Sequence, residues 1–534
     1  MNVNKKVLKT GQLVAYFMAC FFFLIYPLYY HNAFFDIVTC KYNLIKIFVL
    51  VIFAVEMLIA FTYLMNQLDE KEEIKKNSKK KKNVKEERPK KALKDYFIIT
   101  DWFMLAIVVI NLISAFLSDY SKESIDGANG RSAGLITVLC YAGIYIIISR
   151  AFIIDNIFIY VVALGSSLAG LLGILNGICI DPLKFYEELS AAQRKIYIST
   201  LGHVDVYTSL FAITIPILLM YYLDSKKLLD RIITFFALII NITGVISGQC
   251  DMAFLVIAAS IILVICFEQT DWNLVIFMAP FVISMYLTKI LTNITLKTEV
   301  RRFTGEYRNV SEFTKLLIKD ETVLIITIFF IACVIVNLFS KLTMKKYKKI
   351  FVGISIAVPV IYVLLVIYFT FVNKTVNLGK ATDYLRFSDA YASYRGFIWK
   401  LSIEEYLDMD IMKKLFGIGP DVVYPYLTNI PKHAKAMGDV VVYTGGAFDN
   451  LHNEFLQYLF TTGICGLAAY IGFIVCSIKN GIKGKKYILI VSSLGYVILS
   501  IFNLNQVVTT PIYVIVLSAL NAKENNIKWG CRFR

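Results

Sequence analysis

Charged residues are scarce in this chain. Asp, Glu, Lys and Arg make up 18% of its 534 residues, against about 25% in soluble globular domains. That shortage, with a mean hydropathy of +0.65, excludes a disordered chain and fits poorly with a soluble enzyme. The ten cysteines are scattered, mostly in apolar stretches, and form no CxxC pair. This argues against both a disulfide framework and a zinc site. No Gly-rich phosphate loop, Ser-His-Asp arrangement or internal repeat occurs. Histidine is rarer still, being confined to His31, His203, His433 and His452.

What the chain has instead is apolar length and basic charge. Hydrophobic residues account for 58% of it, and 55 Lys and Arg against 39 Asp and Glu leave a net charge of +16. Together these read as a polytopic membrane protein. A helix crossing a bilayer needs about 20 mostly apolar residues, because its backbone polar groups must be satisfied within the segment. Fourteen stretches qualify: 12–30, 44–65, 97–117, 133–149, 157–176, 206–223, 232–247, 252–267, 273–291, 322–340, 351–372, 453–478, 487–502 and 511–521. The seventh, eighth and last are short, so the expected bundle has 12 to 14 spanning helices.

With the N-terminus placed in the cytoplasm, the cytoplasmic segments (about 95 residues) hold 32 of the Lys and Arg, and the opposite side (about 178 residues) holds 21. The positive-inside rule favours that orientation. It predicts a multi-pass plasma-membrane protein with both termini cytoplasmic. The first apolar run lacks a small-residue cleavage pattern, which predicts an uncleaved first helix. The basic run Lys71 to Lys94 reads as a solvated linker that can attract anionic lipid, at about 1 kcal/mol per charge near the surface. It has no interleaved aromatic residues, so membrane lipids are an expected partner and nucleic acid is not. The expected organisation is an N-terminal two-helix segment with its linker (1–96), a transmembrane core (97–372), a large extracytoplasmic loop (373–451), and C-terminal helices with a tail (452–534).

The loop is too long for a mere connector, and loops of that length usually carry function. Within it Phe397, Ile398, Leu401, Tyr406, Leu407, Ile411 and Leu415 recur at helical spacing until Gly417, Gly419 and Pro420. Arg395 and Trp399, four apart, share a face at the start. They suit either a site or an interfacial helix with a snorkelling arginine. The loop ends in Asp449-Asn450-Leu451-His452-Asn453-Glu454. A histidine at a helix N-terminus is disfavoured as imidazolium and suits a neutral base. His452, Leu456, Leu459, Gly463 and Gly466 fall on one stripe, which either admits a lipid tail or only packs helices.

These residues resemble the O-antigen ligase and polymerase family. His452-Asn453, nine residues, then Gly463-Ile464-Cys465-Gly466 is similar to its histidine motif. Arg395 with Trp399, followed by Leu415-Phe416-Gly417-Ile418-Gly419, resembles its large-loop signature. Asn129-Gly130-Arg131-Ser132-Ala133-Gly134-Leu135 and Ser199-Thr200-Leu201-Gly202-His203-Val204-Asp205 resemble two upstream landmarks, in the family's order. Two places depart from the pattern. Ser247-Gly248-Gln249-Cys250-Asp251 lacks the usual arginine, and His203 and Asp205 stand where Asn is usual.

The resemblance implies an all-α, GT-C-like transmembrane bundle that transfers or polymerises glycans from undecaprenyl pyrophosphate at the external face. Such a protein needs no cofactor, and its acceptor is a glycan or a lipid. Metal independence is expected, since no acidic or histidine cluster has ligand spacing outside the membrane. In the implied site Arg131 and Arg395 clamp the pyrophosphate, with Arg194 a further candidate, and His452 activates the acceptor hydroxyl. Asn453, Trp399, His203, Gly463 and Gly466 complete the expected substrate contacts. Arg301, Arg302 and Arg308 form a separate basic patch, and Glu56 an intramembrane carboxyl, neither with an assigned role. The competing class is a flippase or other multi-pass transporter, against which stand the long loop and the absence of repeated halves.

Overall fold

The computed structural model describes residues 3–78, 97–128, 130–297, 310–340, 342–444 and 449–522. Asn129, the Arg301, Arg302 and Arg308 patch, and residues 79–94 of the basic run lie outside them. Among the described residues the protein is an all-α polytopic helical bundle. Ten helices are long and apolar enough to cross a membrane, and four shorter apolar helices join them, Leu135–Ala151, Met252–Phe267, Tyr487–Ser500 and Thr510–Asn521. These fourteen correspond one for one with the fourteen apolar stretches. One length differs from expectation, because the seventh helix runs a full Leu228–Ser247.

Val204–Asp224 is the axis of the bundle and is wholly buried along its span. It packs against Leu228–Ser247, Met252–Phe267 and Tyr487–Ser500. It is buried on every face, mainly through apolar side chains such as Tyr207, Leu210, Phe211, Ile213 and Leu218, as a central helix must be. The first helix, Val3–Leu24, joins the same core through Met18, Phe22 and Phe23. At the edge, Asp320–Phe339 and Tyr347–Val372 bury little of their surface. They are richly apolar on faces that touch no protein, which is what a lipid solvent permits.

The long loop folds as a small helical unit with a core of its own, formed by Ile398, Leu401, Ile418, Val422, Val423, Leu427 and Leu451 and sealed by Phe460. Its main helix, Tyr391–Asp408, begins irregularly: Ala392, Ser393 and Tyr394 have φ of 50°, 61° and 65°. Three successive L-residues in the left-handed region cost on the order of 1–2 kcal/mol each. The expected helical stretch is broken at Met409, after which Asp410 caps a new helix, Ile411–Phe416. Leu407 and Ile411 therefore lie exposed rather than on the buried face.

The loop then docks on the kinked helix Glu454–Lys483. Gly463 (φ 67°) makes the kink, and Gly417 (φ 79°) faces it. A Cβ at Gly463 would lie 2.3 Å from the Leu415 carbonyl, and one at Gly417 2.2 Å from that of Thr461. The backbones touch here, and the Gly419 N–H donates to Thr461 O at 3.0 Å. Only glycine meets both demands at these positions.

Candidate functional site

Five connections meet at one end of the bundle. They are the 128–133 turn, the start of Val204–Asp224, the Gly248–Asp251 turn, the loop helix at Arg395, and the segment before Glu454–Lys483. In the charge reading all of them fall on the same side of the membrane.

His452 immediately precedes the cap of Glu454–Lys483. Its backbone is left-handed (φ 46°), and its N–H donates to Asn450 Oδ1 at 2.8 Å. Non-glycine residues hold such a conformation only where the surroundings enforce it, and such sites cluster at functional positions. Trp399 enforces part of it: its Nε1–H donates to Leu451 O at 2.8 Å, while its ring packs on Tyr391 and Phe502. Asn453 is the helix N-cap, its side chain accepting from the Leu456 N–H at 2.9 Å. That commits the oxygen expected to face substrate to the helix end.

Two carboxylates organise the cations. Arg131 makes a two-pronged pair with Asp449, through Nε and Nη2 at 2.5 Å each, a geometry suited to the guanidinium fork. Asp421 shapes the turn that carries Arg131, accepting the N–H groups of Ala128 and Ala133 on one oxygen at 3.0 Å. Arg395 donates through Nε to Phe502 O and through Nη1 to Ala392 O, both at 2.9 Å. Its Nη2 reaches Asp205 Oδ2 at 3.2 Å and Met252 Sδ at 3.9 Å.

Asp205 is the hub. The same Oδ2 lies 3.7 Å from His452 Nδ1 and 3.8 Å from His203 Nδ1, and the Cys250 thiol points to its other oxygen at 3.5 Å. A two-stranded hairpin presents it, pairing Tyr197 with His203 and Ile198 with Gly202. His203 caps the axial helix by accepting from the Asp205 N–H at 3.2 Å. Asn503 anchors that first turn, donating to Asp205 O at 2.9 Å and to Ser209 Oγ at 2.7 Å.

Burial, and next the Arg395 charge, hold the His452 imidazole well down, to about 3, so it is neutral near pH 7. Burial works against the charge of Asp449, but the Arg131 guanidinium outweighs it and keeps that carboxyl below its ordinary range. Burial pushes Asp421 up to about 7, because two backbone N–H groups and Arg131 only partly compensate it. The site is thus a neutral imidazole between two arginines, each paired with a carboxylate. Among the described residues no group of three His, Cys, Asp or Glu side chains is arranged to hold a metal ion.

The structure brings together Arg131, Arg395, Trp399, His203, His452 and Asn453 from the sequence-derived set. Arg194 folds back on its own loop, donating to Leu189 O and Glu187 O. Gly463 and Gly466 pack against protein, the one on Leu415 and the other on Thr462 and Ile110. The kink also breaks the stripe expected to run from His452 to Gly466. Sequence reasoning missed Asp205 and Asp449 as partners of the arginines. The available signals were an Asp in place of Asn in one landmark and an Asp three residues before the histidine.

Residues 321–471 match the profile of the O-antigen ligase family. No curated protein and no solved structure matches the chain. The matched stretch contains Arg395, Trp399, Gly417, His452, Gly463 and Gly466, while Arg131, His203 and Asp205 come from outside it. The resemblance read from the motifs is borne out to this extent: the chain is a multi-pass membrane protein whose residues 321–471 are similar to the O-antigen ligase family.

Proposed function

We propose that this protein is a glycosyltransferase of the O-antigen ligase and polymerase type. Its donor is a glycan on undecaprenyl pyrophosphate, and it acts at the extracytoplasmic face with both termini in the cytoplasm. The observation that carries the reading is the meeting of Arg131, Arg395 and a neutral His452 from three remote parts of the chain.

The reaction breaks the bond between the sugar anomeric carbon and the pyrophosphate oxygen. It forms one from that carbon to an acceptor hydroxyl oxygen. The electron pair leaves with undecaprenyl pyrophosphate, and the acceptor proton goes to His452. Arginine suits the leaving group through its permanent charge and planar fork of donors. Arg131 keeps three of its five N–H groups beyond its pair with Asp449. A neutral imidazole suits the hydroxyl because it offers a lone pair to the departing proton, which an imidazolium lacks. Trp399 and Asn453 hold the histidine in place, and His203 borders the cluster, partly exposed towards an incoming acceptor.

Reconstitution with a lipid-pyrophosphate oligosaccharide tests the reading. Chain lengthening would identify a polymerase and transfer to a different acceptor a ligase. Passage across the bilayer without covalent change would overturn the proposal in favour of a flippase.

A further inference from the structure

Asp205 stands between the cation and the base of the proposed site, and one of its oxygens serves both. Oδ2 lies 3.2 Å from Arg395 Nη2 and 3.7 Å from His452 Nδ1. The first is a hydrogen-bonded ion pair; the second is just beyond hydrogen-bond reach. The carboxylate cannot swing away freely, since its helix turn is pinned through Asn503 and its other oxygen faces the Cys250 thiol. Arg395 is pinned as well, by Phe502 O and Ala392 O. The Asp205 turn and Arg395 are therefore anchored, and the carboxylate attends to the arginine while lying within a small rotation of the imidazole.

We propose that Asp205 is a positioning residue that makes His452 a competent base only when the donor is bound. This rests on the reading of Arg395 as a pyrophosphate-binding cation. With the donor absent, Arg395 claims the carboxylate, and the nearby positive charges keep His452 a weak base. A pyrophosphate on Arg395 neutralises that claim. Asp205 then accepts from His452 Nδ1–H, which leaves Nε2 as the acceptor of the hydroxyl proton. As that proton arrives, the carboxylate stabilises the imidazolium while the electron pair departs with the pyrophosphate.

The charged groups acting on His452 are Arg395, Asp205, Arg131 and Asp449. Those facing Asp205 are His203, Arg395, His452 and the Cys250 thiol. Of these, Asp205 is the group shared by the cation and the base.

Two measurements test the proposal. In the first, initial rates of Asp205→Asn, His452→Ala and wild-type protein are compared from pH 5 to 9 in proteoliposomes with a lipid-pyrophosphate oligosaccharide. Asp205→Asn should lose at least tenfold in kcat, leave the donor KM unchanged or lower, and move the acid limb of its profile to lower pH. A merely structural role would instead raise KM, or lower kcat without moving the limb, and either outcome overturns the coupling. An active His452→Ala protein would overturn the underlying reading and this one with it, whereas an inactive His452→Ala beside an unshifted Asp205→Asn profile would overturn this one alone. In the second, which needs no folded Asp205 variant, the imidazole of His452 is titrated by nitrogen NMR in wild-type protein. Only four histidines compete for assignment. Added undecaprenyl pyrophosphate should raise its midpoint by at least one pH unit, and an unmoved midpoint would overturn the proposal.

Discussion

Arg131 and Arg395 bear the same charge on the same histidine, yet the protein holds them differently. Arg131 sits on a short turn and spends two of its five donors on one carboxylate, Asp449. Arg395 sits in a helix of the loop unit and is more deeply buried. Most of its donors go to two backbone carbonyls, a sulfur and Asp205. On the proposed function, one arginine holds donors for the pyrophosphate, and the other is part of the frame as well as a charge. A motif reading treats them as equivalent because it sees residue type and spacing, not what each guanidinium is already bonded to.

Substitutions can break that comparison. Arg395→Ala should have the largest effect. It removes transition-state charge worth about 2–4 kcal/mol by analogy with other charge-stabilising donors, and it also leaves Phe502 O and Asp205 without their partner. Both kcat/KM and thermal stability should fall. Arg395→Lys should not restore them, since an ammonium cannot reproduce the fork. Arg131→Ala should cost a similar part of the barrier and a smaller part of the stability, since Asp449 alone loses its partner, and Arg131→Lys should recover part of both because an ammonium can still meet that one carboxylate. Equal rescue by lysine at both positions, measured in the same assay, would erase the distinction.

Gly463→Ala sharpens the comparison from the side of the frame. It places a methyl against the Leu415 backbone at a left-handed position, at a cost on the order of 1–3 kcal/mol. Thermal unfolding should report the loss, and activity should fall with the population of the docked loop. If activity falls with no change in unfolding, Gly463 contacts substrate after all.

The smallest effect concerns Asp421 beneath Arg131. Its carboxyl is raised to about 7 by burial. A raised acid favours the folded state fully below its unfolded value near 4 and loses that contribution as pH rises to about 7. Asp421→Asn retains an acceptor for Ala128 and Ala133 and cannot ionise. It should therefore gain stability relative to wild type between pH 5 and pH 8. A constant difference between the two proteins across that range would contradict the assignment.

Much of this was legible in the sequence. The fourteen apolar helices were, because a membrane demands length and apolar composition, and both are visible locally. Which of them lie at the centre was not. Val204–Asp224 is wholly buried, yet the barely buried Tyr347–Val372 is the more apolar of the two. In lipid, apolar character marks the outside as readily as the core. The histidine and the two arginines could be named from spacing and resemblance. Their carboxylates could not. Asp205 sits in the first turn of a helix, where acidic residues are common for reasons of the helix dipole alone, and its partners lie 190 and 247 positions away. Asn453 was named as a substrate contact from its place beside the expected base, and the spacing did not reveal that its side chain also caps the helix on Leu456 N–H.

The central claim is that His452 and the two arginines together discharge a lipid-pyrophosphate glycan. Release of undecaprenyl pyrophosphate from a defined donor, followed in proteoliposomes containing acceptor, tests it most directly. The wild-type protein should release it in step with new glycosidic bonds, and correctly folded His452→Ala should do neither above background. Full release and bond formation by the folded His452→Ala protein would contradict the account.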